Sequence, residues 1–131
     1  MPASSTRFLT AAQVMRLYEV NIMRARPTQP TYLESALDSP QQHKHYGQND
    51  VFQLAGILAE KITLNHAYQD GNKRTSLLAA DVFLKMNGYQ LQKTLSKSEE
   101  LDGQIRDAHV AIATKEWDAE KLAGFYESLS T

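Results

Sequence analysis

The sequence contains no cysteine, so disulfides and thiolate chemistry are excluded and a reducing compartment is the natural setting. It also lacks a surplus of positive charge. Fourteen Lys and Arg face 15 Asp and Glu, for a formal net charge of −1, which leaves no basic footprint for nonspecific binding to nucleic acid or a membrane surface. No apolar run approaches the roughly 18 residues of a membrane span. The opening MPASSTRF has no long apolar stretch of the kind that marks a secretory signal. A cytoplasmic protein with neither nucleic acid nor membrane as a partner is the expectation. Sustained apolar–polar alternation is missing too, so strands should be few. GYQLQ at 88–92 and part of SPQQHKHYGQN at 39–49 are the only weak candidates.

What is present is enough for one core. At 131 residues, 42% hydrophobic and 22% charged, the chain is long enough for a single globular domain over 1–131 and too short for two. Helix punctuation is legible throughout. Thr10 and Gln13 have capping-box spacing, and Met15, Leu17, Tyr18, Ile22 and Met23 follow in helical phase. That helix should stop near RARPTQP, where Pro27 and Pro30 withhold backbone donors. Thr31 with Glu34 predicts a short helix over YLESAL, and Asp50 with Gln53 predicts another over VFQLAGILAEKITL, burying Phe52, Leu54, Ala55, Leu58 and Ile62. RTSLLAADVFLKMN is apolar around most of its circumference, which predicts a central helix, with Asn87-Gly88 as its stop. Ser96 with Glu99 begins a helix keeping Leu101, Ile105, Ala108 and Ile112 in phase, and Asp118 caps a last one with Leu122, Phe125 and Leu129. The expected fold class is all-α: a compact bundle of about six helices with a longer polar loop, or flap, at residues 39–49.

Ten residues between the third and fourth helices, HAYQDGNKRT at 66–75, concentrate the chemistry. His66 closes one helix and Asn72 to Thr75 open the next. A helix start leaves amide donors unpaired with partial positive charge behind them. Gly71 removes a side chain where backbone must approach a ligand, and Lys73 and Arg74 add two full charges. The combination describes an anion site, with phosphate as its natural occupant. Asp70 fits such a site if a divalent cation such as Mg²⁺ lies between its carboxylate and phosphate oxygens. His66 would then face the phosphates and take a proton from an incoming hydroxyl. Tyr68 is expected to point inward and anchor the loop. Taken singly, each of these is an ordinary loop or helix-end residue; the set at this spacing carries the weight. The HKH at 43–45 reads as polar loop and His109 as a boundary residue, with Trp117 and Tyr126 as packing groups.

The run from His66 to Thr75 resembles the signature of the Fic/Doc (Fido) family, and in particular its death-on-curing branch, H-x-F-x-D-[GA]-N-K-R-T. SLLAADVFLKMNGYQL matches the apolar continuation ending in Asn-Gly, and YLESALDSPQ resembles the lead-in to the family's flap. The resemblance covers roughly residues 9–92. It implies an all-helical domain whose motif loop binds a nucleoside triphosphate, ATP, with Mg²⁺. By position, His66 corresponds to the catalytic base and Asp70 to the metal-associated acid. Lys73 and Arg74 join the catalytic set, and Gly71, Asn72, Lys73, Arg74 and Thr75 correspond to the phosphate-binding residues. Tyr68 replaces the usual Phe.

Two positions depart from the AMP-transferring branch. Its glycine after Asn is Lys73 here, and its second arginine is Leu77, so a bidentate phosphate partner is lost. The death-on-curing branch shares this pattern and transfers the γ-phosphate to a Ser or Thr hydroxyl of a protein, in that branch elongation factor Tu. A phosphotransferase of that type, toxin-like, is therefore expected here. Protein adenylylation is the alternative, and a catalytically inactive protein-binding module a second one. The internal inhibitory motif [S/T]-x-x-x-E-[G/N] fails because Leu101 follows Glu100. Restraint by a separate antitoxin-like partner is the corresponding expectation.

Overall fold

A computed structural model describes residues 6–69, 71–89 and 98–129, the side chains of 98–102 excepted. Its helices are α1 (Ala11–Asn21), α2 (Pro30–His45), α3 (Val51–Asn65), α4 (Asn72–Met86), α5 (Ser98–Ala113) and α6 (Ala119–Leu129). No strand occurs among the described residues. The all-α bundle of six helices is as expected.

Several ends form as the side chains dictate. Thr10 accepts from the Gln13 amide while the Gln13 side chain accepts from the Thr10 amide, closing a capping box. Asp50 accepts from the Phe52 amide at the start of α3, and Asp118 from the Lys121 amide at the start of α6. At the end of α4, Gly88 takes φ +90° and the Tyr89 amide reaches back to the Leu84 carbonyl at 2.9 Å, the double-bonded stop that favours glycine. Asn87 also clasps residue 7, accepting from the Arg7 amide and donating to its carbonyl.

Three features differ from expectation. First, α2 begins at Pro30 behind Gln29, not at a Thr31 cap, and continues to His45 through most of the stretch expected to be a loop. Leu33, Ala36, Leu37 and Pro40 are buried at i, i+3, i+4 and i+7, so packing of that stripe outweighs the amide that Pro40 removes. His43, Lys44 and His45 sit in its last turn, where cations suit the helix dipole. The HKH stretch is thus helical, and the strand candidate at 39–49 is overturned with it. Secondly, α1 ends at Asn21, well before Pro27. Thirdly, the central helix is α3, not α4. It packs against α2, α4, α5 and α6 and buries nine of its 15 residues. Gly88 and Tyr89 of the other strand candidate are not strand, and residues 90–92 lie outside the described residues, as does the Ser96 cap of α5.

Close approach of α3 to α6 explains that centrality. Gly56 is buried in α3, and a Cβ there would run into the Ala119 carbonyl oxygen and lie 3.2 Å from the Ala123 amide nitrogen. The Glu60 carboxylate accepts from the Ala119 amide at 3.1 Å, so α3 supplies both the socket and a cap for α6.

Candidate functional site

α3 delivers the chain to the site through one strained residue. His66 caps the helix in the left-handed region, φ 53° and ψ 46°, a conformation uncommon outside glycine but better tolerated by His than by bulkier residues. The imidazole stays exposed while Ala67 and Tyr68 turn into the core, each 2% exposed. Tyr68 stacks on Tyr18 of α1 with centroids 3.7 Å apart and planes 9° from parallel. Burial, and then the neighbouring Tyr18, push its phenol up to about 12, so it remains protonated. The inward anchor expected of Tyr68 is present.

The loop is held from both sides. The Gln29 amide and the Thr28 hydroxyl both donate to the Ala67 carbonyl. Asn72 closes the loop on itself, accepting from the Tyr68 amide at 3.1 Å and donating to its carbonyl at 2.8 Å. Gly71, at φ +83°, turns the chain into α4; a Cβ there would sit 3.1 Å from Ile22 Cγ2 and 3.2 Å from Tyr18 Cε2. Only glycine satisfies both the angle and the space.

His66, Gly71, Asn72, Lys73 and Arg74 all line one cleft of about 500 Å³, with Ile22, Met23, Thr63, Gln69 and Ala113. Lys73 and Arg74 are exposed and make no ion pair among the described residues. The first amide of α4 with a backbone partner is that of Thr75, on the Gly71 carbonyl. The amides of Asn72, Lys73 and Arg74 are therefore available at the mouth. Thr75 itself departs from expectation: it is 1% exposed and its hydroxyl donates to the Gly71 carbonyl at 2.8 Å. It locks the turn, and its hydroxyl is not offered to a ligand. Asp70 lies outside the described residues. The remaining features suit a phosphate: amides and cations without partners at a helix start, whereas the absent side chain of Gly71 makes room for Ile22 and Tyr18 and not for a ligand.

Two groups near the site carry no sequence signal. Arg16, Glu19, Arg24 and Arg26 line a second groove of about 380 Å³; they are scattered over eleven positions and converge only where α1 meets the following segment. His109 is no boundary residue. It is 2% exposed, with Nδ1 2.8 Å from Ser76 Oγ and Nε2 2.5 Å from the Tyr126 hydroxyl. Burial depresses its imidazole from 6.5 to about 4. The neutral form is thus favoured by folding, and the unfolded chain takes up the proton first as pH falls. Stability from this residue is complete above pH 6.5 and is lost progressively toward pH 4, by about 3 kcal/mol in all. Urea unfolding at stepped pH should show this slope in the wild type and a shallower one in His109→Leu.

Residues 6–84 match the Fic/DOC family. The chain belongs to the Fic/Doc family. A curated relative, Toxin Doc of Mycolicibacterium smegmatis, is 36% identical over 83 residues, which cover 59% of this chain and 58% of the relative. The chain thus spans a little over half the length of that relative. In Fic/Doc terms the matched region runs from before α1 through most of α4, and so contains the entire cleft wall from Ile22 to Arg74. No helix among the described residues is long and apolar enough to cross a membrane.

Proposed function

We propose that the chain is a phosphotransferase that moves the γ-phosphate of ATP onto a Ser or Thr hydroxyl of a protein. One observation carries the reading: an exposed imidazole and the amide- and cation-rich start of α4 line the same cleft. The triphosphate lies with its terminal phosphates on the Asn72, Lys73 and Arg74 amides and the Lys73 and Arg74 side chains. His66 takes the proton of the acceptor hydroxyl as its oxygen bonds to the γ-phosphorus. The bond from that phosphorus to the β–γ bridging oxygen breaks, and ADP leaves. The moving charge is spread over donors already in place, which is where most of the rate gain in such transfers originates. Asp70 is the residue that would hold Mg²⁺, which would supply neutralisation of the phosphate charge. Delivery of γ-phosphate rather than AMP is favoured by Lys73 in the cradle and by Leu77, which packs against the core and offers no second cation.

Toxin-like action, with restraint by an antitoxin-like protein, extends this reading from the relative named Toxin Doc, and a translation factor such as elongation factor Tu is the acceptor that the resemblance to the death-on-curing branch implies. Incubating the protein with a cell lysate and ATP labelled at either the α or the γ position tests it. Protein labelled from the γ position alone is expected. Label from the α position overturns the reading in favour of adenylylation. No label from either, with His66→Asn indistinguishable from wild type, leaves only a binding module.

A further inference from the structure

A string of polar side chains crosses the apolar core behind the cleft, and the transfer described above makes no use of it. Ser76 on α4, His109 on α5 and Tyr126 on α6 are 0%, 2% and 1% exposed. Ser76 Oγ donates to the Lys73 carbonyl at 2.7 Å, and its oxygen lies 2.8 Å from His109 Nδ1. The Tyr126 hydroxyl lies 2.5 Å from His109 Nε2.

Hydrogen assignment along the string is unique. The single Ser76 proton goes to Lys73, so Nδ1 must carry a proton and donate to Ser76, leaving Nε2 to accept from Tyr126. The ring is then neutral, as burial demands. Every donor points the same way, from α6 through α5 to the first turn of α4.

The last link ends on the peptide unit that joins Lys73 to Arg74. That unit is planar and trans, so its C=O and N–H point in opposite directions. Holding the Lys73 oxygen toward Ser76 therefore aims the Arg74 N–H out of the helix start, toward the cleft that Lys73, Arg74 and His66 line. Hydrogen bonds in series also polarise one another, so density drawn from the Lys73 carbonyl leaves the Arg74 amide a better donor.

We infer that Ser76, His109 and Tyr126 are positioning residues: the string they form sets the direction and strength of the Arg74 amide as a donor to a phosphate oxygen. The inference rests on the phosphate reading of the cleft. Mg·ATP and inorganic pyrophosphate, titrated calorimetrically into the full chain and into Ser76→Ala and Tyr126→Phe, test it. The Lys73 carbonyl-carbon and Arg74 amide-nitrogen resonances are recorded before ligand is added. Ser76→Ala is expected to weaken both ligands roughly tenfold, the effect of misdirecting one bond to a charged group, and to move both resonances upfield. Tyr126→Phe, which removes only the far donor and keeps the packing, should shift them less in the same direction. Wild-type affinity in Ser76→Ala, resonances that stay put, or losses that merely follow the folded fraction overturn the inference and reduce the string to packing. Wild type that binds neither ligand overturns the phosphate reading itself, a result distinct from binding that is indifferent to Ser76.

Discussion

His66→Asn is expected to cut the rate of phosphoryl transfer by about 10²- to 10⁴-fold, the range a positioned general base contributes. The fall should be in kcat, with KM for ATP and the melting temperature unchanged. The reasons are local. His66 is exposed, so no core contact goes with it, and asparagine accepts the left-handed backbone at φ 53° at least as readily as histidine does. The phosphate-facing groups belong to the next helix and keep their places. Steady-state kinetics with a phosphorylatable protein acceptor, read beside a thermal melt, check both halves. A matching rise in KM would assign the imidazole to nucleotide binding instead.

Gly56→Ala should be the most damaging of the glycine-to-alanine changes on steric grounds. The added Cβ meets the Ala119 carbonyl oxygen and crowds the Ala123 amide nitrogen, all backbone of α6, so relief requires one helix to move off the other. Overpacking of this kind costs about 3 kcal/mol at its upper end, a large share of the 5–15 kcal/mol that holds typical domains together. Gly124→Ala supplies the contrast. Gly124 lies exposed within α6 with nothing near its would-be Cβ, so alanine should add stability, about 1 kcal/mol from helix propensity. Urea midpoints at unchanged slope measure both. Equal and small effects would mean that α6 is not seated on α3 as described.

Sequence reading succeeded where the cause is local. The Thr10, Asp50 and Asp118 caps, the Asn87-Gly88 stop and the buried stripe of α3 depend on residues two to five apart, and each forms. That His66, Gly71, Asn72, Lys73 and Arg74 come together at one cleft was legible because one short stretch of chain carries them all. What was missed depends on distant partners. The helical continuation through Pro40 is decided by burial of Leu33, Ala36 and Leu37, not by propensity, which opposes it. Asn72 and Thr75 look like ligand groups in sequence, yet their side chains are spent on Tyr68 and Gly71. His109 finds Ser76 33 residues away and Tyr126 17 residues away, and no spacing rule announces such a meeting.

Titration of the isotope-labelled protein with a non-hydrolysable ATP analogue and Mg²⁺ measures most directly whether the start of α4 is the nucleotide site. Saturable shifts concentrated on the amides of Asn72, Lys73 and Arg74 and on the His66 ring are the expected result. Shifts confined to the groove of Arg16, Arg24 and Arg26, or none that saturate, would contradict it.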